Sequence, residues 1–107
     1  MIKSRGYRIE MGEIETVLCN HPGIMTAVVI PIPDELIGNR IAAVIVPLRK
    51  GTIGREDIVM HCAARLPKYM IPEIIEFRDS LTMTSSGKVD RESYTGLFRE
   101  QLLSFSK

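Results

Sequence analysis

Tryptophan is absent from the sequence, and three Tyr and three Phe are its whole aromatic complement. A surface that stacks single-stranded bases needs exposed aromatics beside clustered positive charge. With 14 basic and 13 acidic residues the net charge is +1, so composition offers neither a nucleic-acid footprint nor an acidic tail. Long apolar runs are missing too. Ala27 to Ile32 and Ile41 to Val46 are the main ones, far short of the roughly 20 residues that span a bilayer. No secretory leader pattern opens the chain. Nucleic acid and a membrane span are therefore not expected, and a cytoplasmic location is. Cysteine is scarce: Cys19 and Cys62 stand alone without CxxC spacing, which argues against a zinc site and predicts two reduced, buried, inert thiols. His21 and His61 have no nucleophile or metal-type partner close in sequence, and no metal-ligating set is expected.

What is present suits one compact domain. A chain of 107 residues that is 45% hydrophobic can bury a single modest core. Ser4 to Ile9 reads as a short hairpin turning at Gly6, where missing side-chain bulk permits a strained turn. From Gly12 to Asn20, Ile14, Val17 and Leu18 recur at helical spacing, with Glu13 and Glu15 placed in the first turn to favour the helix dipole; His21-Pro22-Gly23 stops the helix. Met25–Ile32 and Ile41–Pro47 are β-branched runs joined by a loop over residues 33–39. Their nearly continuous apolarity predicts a sheet with at least partial cover on both faces.

Arg49 to Gly54 is a polar linker into a second helix, whose stripe is Ile58, Val59, Cys62, Ala63 and Leu66 and whose end is Pro67. Ile74–Phe77 reads as a third strand. A polar loop from Thr82 to Lys88 then leads to a final helix starting near Asp90, with Tyr94, Leu97, Phe98, Leu102 and Phe105 to bury. The predicted fold is α+β: a small, mostly antiparallel three-stranded sheet flanked by helices and preceded by a short hairpin.

The segment richest in chemistry is Thr84-Ser85-Ser86-Gly87-Lys88-Val89-Asp90-Arg91. A lysine at the end of a polar loop can carry a point charge towards a developing anion. Ser-Gly turns with a lysine and an Asp helix cap are also common in solvated loops, so this spacing alone does not identify an enzyme.

Three segments in order do more: Lys3-Ser4-Arg5-Gly6-Tyr7-Arg8-Ile9-Glu10-Met11-Gly12-Glu13-Ile14-Glu15, then Leu66-Pro67-Lys68-Tyr69-Met70-Ile71-Pro72, then Ser86-Gly87-Lys88-Val89-Asp90-Arg91. In order and spacing they resemble the last three core motifs of the adenylate-forming superfamily, which includes acyl- and aryl-CoA synthetases, nonribosomal peptide synthetase adenylation domains and firefly luciferase. The resemblance runs from Lys3 to about Tyr94 and implies that residues 1–107 form the C-terminal lid subdomain.

The implied reaction has two steps. A carboxylate attacks the α-phosphate of ATP to give an acyl-adenylate, and a thiol then displaces AMP to give a thioester. By motif match Lys88 is the expected catalytic residue, reaching carboxylate and α-phosphate oxygens during adenylation. Gly87 would let the backbone approach the nucleotide, and Arg8 and Arg5 would meet phosphates of nucleotide or CoA. In the family the domain rotates between steps and presents the hairpin to the pantetheine arm, which assigns acceptor contacts to Gly6 and Tyr7. Asp90 is expected to cap the last helix and Arg91 to lie on its surface; Tyr69 and Met70 read as packing residues.

The resemblance further implies ATP and Mg as cofactors, held mainly by a large N-terminal adenylation domain whose motifs are not in these residues. CoA or a carrier-protein phosphopantetheine is the acceptor, and the wording of residues 6–15 leans towards a carrier protein. A start just after the family's hinge position fits either a piece of a larger ligase or a separate lid docking in trans. The isolated chain is expected to have negligible activity. The competing expectation is a non-catalytic docking module for a carrier protein or synthetase domain.

Overall fold

The structure is a computed structural model that describes residues 2–105, with side chains described through residue 100. Strands β1 (Ile2–Ser4) and β2 (Tyr7–Ile9) pair antiparallel as a hairpin. Its two loop residues, Arg5 and Gly6, have φ of 53° and 83°. Positive φ at both positions is the geometry of a two-residue turn whose twist matches the strands. The strain therefore falls on Arg5 as well as on the glycine.

Helix α1 (Met11–Cys19) buries Ile14 and Leu18. It packs beside β3 (Ile24–Asp34), which pairs antiparallel with β4 (Gly38–Pro47). Both strands are longer than the apolar runs alone predict, so the loop expected over residues 33–39 shrinks to Glu35, Leu36 and Ile37. The reason lies in Asp34, whose carboxylate accepts the N–H groups of Leu36 and Ile37 at 2.8 and 3.1 Å and pairs with Arg40 at 2.9 Å. Polar residues here build the tip of a hairpin instead of ending the strands.

The amide of Ile37, then that of Leu36, with help from Arg40, holds the Asp34 carboxyl below its ordinary value of 3.8, against a smaller opposing effect of desolvation. A depressed carboxyl contributes stability that is present above its unfolded value and lost as pH falls through the folded one. Acid unfolding of the wild-type chain should therefore steepen below about pH 3.8, and Asp34→Asn, which keeps an acceptor but cannot titrate, should flatten that part of the profile. Superimposable stability-against-pH curves for the two proteins would contradict the assignment.

Helix α2 (Arg55–Ala63) buries Ile58 and Cys62. It ends four residues before Pro67; Ala63 is exposed, and Leu66 is buried from the turn beyond the helix. A 3-10 turn at Lys68–Met70 leads to β5 (Ile74–Phe77), which lies parallel to β4, so the sheet order is β3-β4-β5. Helix α3 (Arg91–Phe105) closes the fold and buries Tyr94 and Phe98, with Leu97 half-buried. The predicted burial of Leu102 and Phe105 lies outside the described side chains.

Alternation along β3 and β4 divides the core in two. Ala27, Val29, Ile41, Ala43 and Ile45 join Ile14, Leu18, Ile58 and Cys62 on one face. Val28, Ile30, Ile32, Ala42 and Val44 meet Tyr94 and Phe98 on the other. Cover on both faces explains why the strand sequences are apolar throughout. Burial raises the Cys62 thiol pKa, as expected of an inert thiol; Cys19, expected to be buried, is exposed at the end of α1.

β3 is an edge strand that contains Pro31 and Pro33. The two-residue period puts both prolines on the side of Val29, whose N–H and C=O are taken by the Glu15 and Arg91 side chains. Proline needs no partner on an open edge, and its missing donor discourages further strand pairing there.

Candidate functional site

Lys88 ends a hydrogen-bonded turn and not an open loop. Thr84 N–H donates to Lys88 O at 2.7 Å, Gly87 N–H donates to Thr84 O at 3.0 Å, and Met83 bridges Val89 antiparallel. Gly87 has φ of 83°. A type I turn followed by a left-handed residue is a standard three-residue hairpin connection. The Thr84 hydroxyl meets the Ser86 hydroxyl at 2.9 Å and accepts Lys88 N–H at 3.3 Å. Lys88 is exposed, and among the described residues its side chain has no ion-pair partner.

A Cβ at Gly87 would meet nothing within 4 Å, so within this chain the demand on that position is its φ and not space. Gly87→Ala is expected to destabilise the domain by about 1–2 kcal/mol, the cost of a left-handed L-residue, and Gly87→Asn by clearly less, since Asn tolerates this region. Urea melts of the two variants check this; equal stability of wild type and Gly87→Ala would contradict the turn geometry. Gly6 is similar: its φ is positive and its Cβ position is open.

The other predicted residues sit on the β1–β2 hairpin, which is fastened to the tip of β3–β4. Ser4, a buried polar residue, donates from its hydroxyl to Asn39 O at 2.5 Å; Asn39 Nδ2 donates to Lys3 O at 2.9 Å, and Arg5 N–H donates to Ile37 O at 2.7 Å. The Arg5 guanidinium is engaged with Glu73 at 3.0 Å, and Glu73 also pairs with Arg40 at 2.9 Å. Arg5, expected by motif match to meet a phosphate, thus lies between the hairpin and Glu73. Arg8 is exposed and stands in register with exposed Lys3. Adjacent cations across a hairpin are mutually unfavourable unless an anion lies between them.

Tyr7 is half exposed, with its ring stacked on Tyr69 at 3.9 Å between centroids and 6° between planes. This contact joins the first and second motif segments, and spacing alone gave no sign of it. The Lys88 turn is anchored elsewhere: Thr82 N–H donates to Tyr94 Oη at 2.7 Å, and Asp90 caps α3 by accepting Ser93 N–H at 3.2 Å. Arg91, expected on the helix surface, reaches Val29 O on β3 at 2.7 Å. Glu15, expected to serve the dipole of α1, lies past its first turn and receives Val29 N–H at 3.4 Å. His21 and His61 are distant in sequence, yet their rings meet edge to face at 4.9 Å; His61 Nε2 bonds Val17 O at 2.7 Å.

Among the described residues no group of three His, Cys, Asp or Glu side chains comes together to hold a metal, and no helix is long and apolar enough to cross a membrane. A groove of about 800 Å³ beside Ile53, Phe77 and Arg78 is lined by none of the predicted site residues.

A sheet layered between helices, a fastened N-terminal hairpin and a lysine on a tight turn before the last helix define a small α+β module. The family described as AMP-binding enzyme C-terminal domain matches residues 13–88, and the chain belongs to it, the C-terminal subdomain of the adenylate-forming enzymes. It is similar to tyrocidine synthase 2 of Brevibacillus parabrevis, with 42% identity over 92 residues, covering 86% of this chain and 2% of that protein. It is also similar to 4-coumarate--CoA ligase-like 1 of Arabidopsis thaliana, with 35% identity over 107 residues, all of this chain and 19% of the relative. Among solved structures, a Mycobacterium tuberculosis fatty acyl CoA synthetase superposes with a TM-score of 0.78 and 32% identity over 91% of this chain and 20% of that one. The chain therefore spans a fifth or less of each of these relatives.

Proposed function

We propose that this domain is the mobile catalytic lid of an ATP-dependent carboxylate ligase that makes an acyl-adenylate and then a thioester. The observation that carries the reading is Lys88: an exposed cation without an ion-pair partner among the described residues, set on a hydrogen-bonded turn at the end of the family match. An ammonium aimed at an oxygen where negative charge builds lowers the barrier most when its approach is preorganised. Lys88 would supply that charge to the carboxylate and α-phosphate oxygens during adenylation, with Gly87 shaping the turn that presents it.

In the second step the β1–β2 hairpin would face the thiol acceptor, with Gly6 and Tyr7 beside the pantetheine arm and Arg8 near a phosphate. Arg5 is better placed to hold the hairpin rigid through Glu73. The acceptor is CoA or a carrier-protein phosphopantetheine. ATP and the acid would bind chiefly on a large adenylation domain, in cis or in trans. Mg would be held chiefly by that large domain, since among the described residues no group of three His, Cys, Asp or Glu side chains comes together. The alternative of a non-catalytic docking module leaves the Lys88 turn without a task.

The reading is tested by adding this chain to the large domain and measuring ATP-pyrophosphate exchange across a panel of carboxylic acids. Exchange is expected from the mixture and not from the chain alone, because one lysine without a nucleotide pocket lacks positioning. Exchange catalysed by the pure chain, or none from a mixture whose domains demonstrably bind, would contradict it.

A further inference from the structure

Every hydrogen bond found within residues 84–88 closes the turn on itself. What ties the turn to the domain lies at its feet. On one side Thr82 N–H donates to Tyr94 Oη. On the other, three residues past Lys88, Arg91 Nη1 donates to Val29 O at 2.7 Å while Nη2 stands 3.5 Å from both Glu15 carboxylate oxygens. Three residues reach at most about 10 Å, so this tether fixes the chain within that distance of Lys88.

The position is unusual for an arginine. Arg91 opens α3, and a cation at a helix N-terminus is opposed by the helix dipole. Two contacts offset the penalty. Glu15 accepts Val29 N–H as Arg91 takes the Val29 carbonyl, so the pair occupies the open edge of β3 as a neighbouring strand would. Glu15 comes from α1, which packs with one core cluster, and Arg91 from α3, which packs with the other. The ion pair straps the two layers together across the sheet edge.

We propose that Arg91, seated by Glu15, is a positioning residue for Lys88: it fixes the stem of the turn on β3 so that the lysine meets the reacting oxygens at one distance. This rests on the lid reading above. A displacement near 1 Å at a reacting group is enough to cost on the order of 100-fold in rate.

The test uses this chain together with its large domain. Arg91→Ala should lower adenylation kcat by about 10- to 100-fold with KM for ATP little changed. Arg91→Lys, which keeps a charge and a donor, should recover part of the rate. Thioester transfer from preformed adenylate should stay near wild type. Lys88→Ala combined with Arg91→Ala should be no slower in adenylation than Lys88→Ala alone, because a residue acting only through Lys88 has nothing left to position. Additive losses, or equal losses in both half-reactions, would overturn the proposal and assign Arg91 a general role in folding or docking; melting temperatures of each variant identify the folding case. Full adenylation by Arg91→Ala beside a crippled Lys88→Ala would overturn it while leaving the lid reading intact. Full adenylation by Lys88→Ala would remove both.

Discussion

Replacing Lys88 by alanine, with the large domain present, is expected to slow adenylation by roughly 100- to 1,000-fold, the range seen when one preorganised donor to a developing anion is removed. The charge at Lys88 is borne on a turn whose backbone bonds all close locally, so the substitution should remove the ammonium and leave the scaffold in place. Binding of ATP, which the large domain would dominate, should change little. The loss is therefore expected in kcat more than in KM, the signature of an interaction made in the transition state. Lys88→Arg should not restore the rate fully, because a planar, longer guanidinium presents its charge differently from a compact ammonium. A stopped measurement of adenylate formation under saturating ATP checks this, and an Ala variant within twofold of wild type would contradict it.

The largest stability effect is expected at Phe98. It is fully buried with Tyr94, Val28, Ile30 and Val44 on the α3 face of the sheet, the smaller of the two core clusters. Phe98→Ala should cost about 3–5 kcal/mol, combining lost transfer energy with a cavity that few neighbours can refill. For a domain of this size that is a large share of the total. The loss has a local consequence as well, since Leu81 and Val89 at the feet of the Lys88 turn pack on the same cluster. Urea denaturation should show a lowered midpoint, and Phe98→Leu should recover part of it by refilling much of the lost volume. A midpoint unchanged in Phe98→Ala would mean that α3 is not integral to the core.

Much of the fold was legible because its signals are local. Strand runs, the turn at Gly6, the stop at His21-Pro22-Gly23 and the Asp90 cap follow from periodicity and turn chemistry, and apolar continuity foretold cover on both sheet faces. The misses fall where a side chain's hydrogen-bond or ion-pair partner, near or far along the chain, decides the outcome. Asp34 reads as a loop residue until its bonds to Leu36 and Ile37 are seen to tighten the hairpin. The pairing of Arg5 with Glu73, far along the chain, has no signal in either residue's local sequence. Arg91 and Glu15 look like solvated helix charges, yet Pro31 and Pro33 were a readable sign that β3 is an edge needing cover. The Lys88 turn was found by motif; the contacts that hold it come from residues whose types alone said nothing of partnership.

In the proposed function one face of this domain serves adenylation and another serves thiol transfer. To separate the two, Lys88→Ala is given, together with the large domain, preformed acyl-adenylate and the thiol acceptor, and thioester formation is timed in a single turnover. A rate within about threefold of wild type is predicted, since transition-state contacts confined to one step are lost in that step alone. A loss as deep as that in adenylation would contradict the claim and place Lys88 in a structural or shared role.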